Sequence, residues 1–448
     1  MEDNFEKQID IINKAKNFIS NCIKKNIDIS LSSMCYLTTW TKSFGHFKIL
    51  GLSGLKRENL ILFTLKNIIS ISKYHNLEIY GAGDPKKIKN LIVSYCKKEN
   101  FDQHGNFYDN FFNFSSAEDK FSWLLISLDD FAPSNLKKSI FILKKKNKRK
   151  LNLFYLLKIL LRIFFDRKHN IKDIFHYITS EYVFSYILME KLNYKFKNTI
   201  IKNAIINYEG IPFQHAIIKT LKSLNKDIKT ICYLHCAAWP VQTELLYRER
   251  LIDILLVSGN DQKKKLVKFL GWPDEKVSVI PSLRFEKNIK NEFGGYLFVP
   301  YEIFDSRKLV QRFENFLGNL PGQSLSNINL RIHPLNKNSL KHKKLALELS
   351  NIISKYNNKF TNMKKNTDSI MFGYAAGISV QAMEDGVTIY HFPYNDLIDV
   401  FSEGIWENVN VKKLDNYIFK YTLKKKDQMF FVNNEKDKFM KYVDPLVL

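Results

Sequence analysis

The sequence predicts a two-domain α/β protein in which two parallel, helix-covered sheets face one another across a cleft. Three observations carry that expectation. At 448 residues the chain exceeds one ordinary core, and two domains of roughly 150–250 residues are the natural partition. From residue 200 onward, apolar runs of strand length alternate with stretches of helical period, the signature of parallel sheets with helical crossovers. A polar stretch, "EKNIKNEFGG" at 286–295, cuts that alternation in two. The expected domains are therefore 1–290 and 291–448.

In chain order, residues 1–28 read as a helix, and 58–80 as a helix leading into a short strand. "GAGDP" at 81–85 follows, where Asp84 can cap and Pro85 can open a helix over "PKKIKNLIVSYC". Gly81 and Gly83 resemble the start of a dinucleotide fingerprint, but the third glycine is missing and a plain turn is the better account. "SWLLISLDDF" (122–131) is a strand ending in Asp129 and Asp130. In 144–170, six of the seven residues Lys144–Lys150 are basic, and an apolar segment interrupted by Lys158 and Arg162 follows. It suits a helix lying at an anionic leaflet, or an internal helix with a basic solvent face.

Beyond 200 the strands are "TIIKNAIINYEG", "IKTICYLH", "LIDILLVSG" and "KVSVIPSLRF", with helices over "PFQHAIIKTLKSLN" and "NDQKKKLVKFLGW". After the break come "YLFVPY", "NINLRIHP", "SIMFGYAAG" and "VTIYHF" as strands. The helices between them are "SRKLVQRFENFLGNL", "SLKHKKLALELSNIISKY" and "ISVQAMED". Two Rossmann-like domains of this kind place ligands outside the carboxyl ends of their strands.

The composition narrows the function classes. A 45% hydrophobic fraction with 14% aromatics excludes global disorder. The net charge of +24, from 69 basic and 45 acidic residues, favours an anionic partner, although the Lys/Asn/Ile usage of an AT-rich genome would also account for part of it. Five scattered cysteines suit reduced thiols in a cytoplasmic compartment. There is no signal-peptide stretch and no run of the roughly 18–20 apolar residues that a membrane span needs. A cytoplasmic protein, peripheral at the inner face of the membrane if 144–170 binds lipid, is expected. No zinc-finger, RNP-like or helix-turn-helix pattern supports a nucleic-acid partner.

Four places can carry chemistry. In "NYEGIPF", Glu209 and Gly210 follow the apolar run Ile201–Ile206: either a turn closed by glycine or a carboxylate base at the lip of a sheet. In "NLRIHP", strand alternation puts Arg331 and His333 on one side and Pro334 fixes the exit, so a cation and an imidazole can meet a phosphate. In "SIMFGYAAGISVQAMEDG", Gly373, Ala375, Ala376 and Gly377 let a ligand approach the backbone. Ser379 there opens a helix beside unpaired N–H groups; a tight turn with a serine cap fits equally well. Finally, His235 and Cys236 end a strand. Cys232, His235 and Cys236 are too close in sequence to converge on one ion, so no metal is expected. His235, and Arg284 in "IPSLRF", are candidate cleft contacts.

The His-Pro pair and the later serine, about 45 residues apart, resemble the C-terminal halves of bacterial GT-B glycosyltransferases that use CMP-activated acidic sugars, the sialyltransferases and Kdo transferases. The resemblance covers mainly 200–400. It implies a GT-B-like fold, with 1–290 on the acceptor side and 291–448 binding the nucleotide sugar. It further implies that His333, Pro334 and Ser379 hold CMP. Those families carry an acidic pair before glycine as the base; here Tyr208 stands in the first position, so the role falls to Glu209 alone. Glu384, in the better-spelled "EDG", would touch the donor ribose. The implied reaction is an inverting transfer of a nonulosonate or Kdo to a glycan or lipid-linked glycan, with no metal and no cofactor. A GT-B enzyme using a UDP-, GDP- or TDP-sugar, or a non-enzymatic basic protein, is the alternative.

Overall fold

The structure, a computed structural model, describes residues 2–24, 28–32, 35, 77–117, 120–145, 161, 179–236, 240–248, 251–284, 295–361, 368–373, 377–429 and 436–443. The helix expected before residue 77, most of the basic segment 144–170 and the break at 286–294 lie outside them. Among the described residues no helix is long and apolar enough to cross a membrane.

The first sheet has eight strands: β1 (Leu77–Tyr80), β2 (Asn90–Cys96), β3 (Ser122–Ser127), β4 (Ile140–Lys145), β5 (Asn203–Asn207), β6 (Lys229–Tyr233), β7 (Ile254–Val257) and β8 (Val277–Val279). Their order is β1-β4-β3-β2-β5-β6-β7-β8, parallel except for the β1–β4 edge pair. Both faces are apolar. Leu91, Val93, Leu124, Ala204 and Ile206 enter one core, while Ile92, Trp123, Leu125 and Ile205 enter another. That two-sided burial is what the continuous apolar runs encode. The chain lays β2, β3 and β4 outward in one direction, then crosses back to set β5 beside β2 and continues the other way. The crevice at that reversal, above the carboxyl ends of β2 and β5, is the favoured ligand position in such sheets.

One expected helix is a strand. Asp84 does cap a turn at Pro85–Lys87, its Oδ1 accepting from Lys86 N at 3.0 Å, but the turn ends at once and β2 follows. The cap and the proline act only locally. Leu91, Ile92 and Val93 are buried on both faces between β3 and β5, and a helix there would have lacked a polar side. The first two lysines of the basic run also belong to the sheet: Lys144 lies 3.8 Å from Glu78, and Lys145 lies 3.5 Å from Asp130.

Helices α1 (Glu2–Lys24), α2 (Ser180–Lys195), α3 (Pro212–Leu224) and α4 (Asn260–Lys268) accompany this sheet. The second sheet holds β9 (Gly295–Phe298), β11 (Ile328–Arg331), β13 (Asp368–Phe372), β14 (Thr388–Phe392), β15 (Val409–Lys413) and β16 (Phe419–Leu423) in the order β11-β9-β13-β14-β16-β15. A small pair, β10 (Leu325–Ser326) with β12 (Phe360–Thr361), stands apart. The first four strands of the sheet are parallel, and β15–β16 is an antiparallel hairpin. Helices α5 (Ser306–Asn319), α6 (Leu340–Lys355) and α7 (Gly377–Glu384) alternate with its strands, as expected. The mixed α/β architecture with two separate, mostly parallel sheets is thus present.

Two elements tie the sheets together in ways that sequence reading missed. In α1, Gln8 Nε2 donates to the carbonyls of Leu397 and Val400, both at 2.7 Å, and Phe5 packs so close to Gly404 that a Cβ there would fall 2.3 Å from its ring. The last helix, α8 (Lys436–Val443), packs on the first sheet: Phe439 lies 5.8 Å from Phe112 and 5.7 Å from Phe114. The carbonyl of Val443 accepts from Asn203 Nδ2 at 2.9 Å. The chain after residue 291 therefore supplies cover for both sheets.

Candidate functional site

β5 leaves the sheet through Tyr208, Glu209 and Gly210, and alternation separates the first two. Tyr208 turns inward and is buried; its hydroxyl donates to His215 Nε2 at 2.9 Å, while His215 Nδ1 donates to the carbonyl of Ser30 at 3.1 Å. Glu209 turns outward and keeps 36% of its side chain exposed. Gly210 has φ +76°, and a Cβ would meet the Glu244 carbonyl oxygen at 2.7 Å, so both conformation and space require glycine. Gln214, in the first turn of α3, clamps the turn. Its Oε1 accepts from Glu209 N at 2.9 Å and Ile211 N at 3.3 Å, and its Nε2 donates to the Asn207 carbonyl at 2.6 Å. The signal was legible: a glutamine at the third helical position behind Pro212 at the first.

His235 leaves β6, the next strand, and its Nε2 lies 3.2 Å from Glu209 Oε1. The imidazole is 4% exposed and meets the edge of Phe111 at 4.6 Å. Burial, reinforced by Arg284, holds the ring well below its usual pKa, so it is neutral at pH 7. Burial pushes Glu209 up to about 7; Arg284 opposes that shift and Glu244 adds to it. The Arg284 guanidinium sits over the ring of Phe111 at 5.1 Å.

On the second sheet, Tyr301 follows β9 by three residues and His333 follows β11 by two. His333 caps the turn Pro334–Asn336, its Nδ1 accepting from Leu335 N at 3.3 Å, so the neutral ring carries its proton on Nε2. It stands edge-on to Tyr301 at 4.9 Å and is exposed. Asn336 Nδ2 at 2.8 Å and His342 Nε2 at 3.0 Å hold the Tyr301 carbonyl. Although exposed overall, the His333 ring is partly desolvated where it packs, which lowers its pKa, and Arg284 and Lys97, which follow strands of the first sheet, lower it further. In turn Tyr301 is raised by burial, by Glu302 and by Glu209. The carboxyl ends of the two sheets therefore sense one another's charges. Lys97, Glu209, His235 and Arg284 follow strands of the first sheet, and Tyr301 and His333 follow strands of the second.

The remaining sequence candidates sit as follows. Gly377 and Ser379 lie in the first turn of α7, at the carboxyl end of β13, and Ser379 is buried. Ala375 and Ala376 are outside the described residues. Gly373 ends β13 with φ +76°, and its carbonyl accepts from His391 Nε2 at 2.5 Å. Arg331 stacks on the ring of Tyr296 at 4.1 Å. Both oxygens of Glu384 accept backbone N–H groups, of Asp427 at 2.5 Å and Met429 at 3.0 Å, which is an anchoring role for the 427–429 segment. Sequence reading missed Lys97, Phe111 and Tyr301, which come from loops without periodicity. It also missed that Glu209, His235 and Cys236 each place a ligand atom within 4.8 Å of the others.

No protein-family model matches the chain, and no curated protein matches it. Among solved structures, a glycosyltransferase from Rickettsia africae ESF-5 matches at 11% identity, covering 69% of this chain and 86% of that one, with a TM-score of 0.30. The wall teichoic acid polymerase TagF matches at 10% identity, covering 74% and 77%, with a TM-score of 0.28. Likenesses this faint leave the chemistry to be read from the chain's own geometry.

Proposed function

We propose that the chain is an inverting glycosyltransferase that moves an acidic sugar of the sialic-acid or Kdo type from a CMP donor to a glycan acceptor. One observation carries the proposal. Arg284 acts electrostatically both on the Glu209 carboxylate, which follows β5, and on the His333 imidazole, which follows β11, and this supports reading the two groups as parts of one site. Leaving-group chemistry asks for this pairing of a proton acceptor on one wall and a phosphate-binding donor on the other.

In the proposed reaction the acceptor oxygen attacks the anomeric carbon while its proton passes to Glu209. The bond from that carbon to the phosphate oxygen breaks, and CMP departs with the bonding pair. His333 Nε2–H and the first N–H groups of α7 meet the phosphate charge, Ser379, buried in the free protein, joins them when the helix start opens to the donor, and Pro334 and Gly377 shape the approach. Gln214 positions the Glu209 backbone and His235 positions its carboxylate. Arg331 and Glu384, which already hold protein partners, are assigned to the periphery of the donor.

A thermal-shift panel with CMP, UDP and GDP, followed by incubation with several CMP-activated acidic sugars, tests the reading. Selective stabilisation by CMP and release of CMP on transfer are expected. Stabilisation by UDP or GDP alone would move the protein to a diphosphate donor.

A further inference from the structure

Glu209 and His235 end adjacent parallel strands, and Cys236 follows directly. Their three ligand atoms lie within 4.8 Å of one another, and the Glu209–His235 pair is already at 3.2 Å. A tetrahedral ion with bonds of about 2.0–2.3 Å holds its donors about 3.3–3.8 Å apart, so small side-chain adjustments close the set. We infer that Glu209, His235 and Cys236 form a site for a borderline divalent transition-metal ion of the zinc type.

The donor set selects that class. A thiolate, an imidazole and a carboxylate together suit zinc or cobalt, whereas magnesium and calcium prefer oxygen alone. Cys232, the other sulfur of this strand, is buried in the core beneath the sheet and is not part of the group. The scaffold is set before any ion arrives. Gln214 fixes the Glu209 backbone, Phe111 meets the His235 ring edge-on, and Glu209 and Cys236 are partly exposed, so water can complete the coordination. A further observation points the same way. His235 Nδ1 is buried with no hydrogen-bond partner among the described residues, a polar atom left unsatisfied beside the group. Nε2, which faces Glu209, is the nitrogen that an ion between the two would take.

Arg284 opposes a cation here and Glu244 favours it; the carboxylate and thiolate between them match the ion's two positive charges. Binding expels the thiol proton to solvent. An ion on Glu209 draws electron density from the carboxylate and lowers its basicity, so metal occupancy opposes the proposed proton transfer. The site itself follows from donor geometry and stands whether or not the transferase reading does.

The test is a titration of the full-length, metal-stripped protein with Co²⁺ alone. A thiolate-to-cobalt charge-transfer band and intense tetrahedral d–d bands are expected, both displaced by Zn²⁺. Cys236→Ser and Cys236→Ala should abolish the charge-transfer band, His235→Ala should weaken cobalt binding at least about tenfold, and Cys232→Ser should leave the spectrum unchanged. Absence of the band in the wild-type protein, or its persistence in both Cys236 variants, overturns the inference. Because the readout is spectral, a protein that binds cobalt in this way yet transfers no sugar even when metal-free would count against the transferase reading alone.

Discussion

Replacing Glu209 by Gln is the sharpest perturbation of the proposed reaction, because the structure says what will stay in place. The amide oxygen can still accept from His235 Nε2, Gln214 still holds the backbone N–H at 2.9 Å, and Tyr208 and Gly210 are untouched. Only the ability to take a proton is lost. General-base assistance is worth about 10²–10⁴-fold, or about 3–5 kcal/mol of barrier, and turnover should fall by that factor. Donor affinity should hold, since in the proposed reaction it is His333 and α7, on the second sheet, that meet the phosphate. Stability should not fall, because burial already disfavours the ionised carboxylate and the amide carries no charge. Initial rates of CMP release with saturating donor, calorimetry with CMP, and melting curves measure the three quantities. Near-wild-type turnover, or a loss confined to CMP affinity, would refute the assignment of Glu209 as base.

Two further outcomes follow. His333→Ala, at an exposed ring, should leave the fold intact and weaken CMP binding by roughly 10–100-fold, the worth of a hydrogen bond to a charged group; calorimetry showing unchanged affinity would remove His333 from the donor site. His391 should make stability fall in acid. Its neutral ring donates from Nε2 to the Gly373 carbonyl and accepts from the Tyr421 hydroxyl at 2.8 Å, and burial lowers its pKa from 6.5 to about 4. The unfolded chain therefore takes up the proton first as pH drops, and stability that is full above pH 6.5 is lost progressively down to about pH 4, by about 3 kcal/mol. Urea titrations across that window should show a steeper decline for the wild type than for His391→Gln, and equal slopes would remove His391 from the acid response.

The strands were legible because burial on both faces of a parallel sheet writes itself as uninterrupted apolar runs, as in Ile231–Tyr233 and Leu255–Val257. The same rule shows why 85–96 was misread. Asp84 and Pro85 are true capping signals and do make their turn, but one turn of local hydrogen bonding cannot outweigh burying Leu91, Ile92, Val93 and Cys96 in the middle of a sheet. The hairpin at 409–423 alternates buried and exposed residues at period two, so its signal was present and went unread. That α8 would return to the first sheet has no local signature, because the partners of Phe439 lie more than three hundred residues earlier.

The site divides along the same line. Residues that leave strands in sequence, Glu209 from β5, His235 from β6 and His333 from β11, could be found because strand ends are where parallel sheets expose chemistry. What the sequence could not show is their mutual distance. Three potential ligands near one strand had looked unable to share an ion, and for Cys232 that holds, since alternation sends it into the core. The adjacent strand then supplies the carboxylate that sequence spacing could not. Parallel pairing sets Ile206 beside Cys232 and Asn207 beside Tyr233, so the residues beyond those pairs emerge together at the same edge. Register, a property of two strands and not of either one, therefore makes a pair out of Glu209 and His235. It also turns the question posed by "NYEG" into one of occupancy: on the proposed readings Glu209 is a proton acceptor when its carboxylate is free and a ligand when a borderline divalent ion reaches it first.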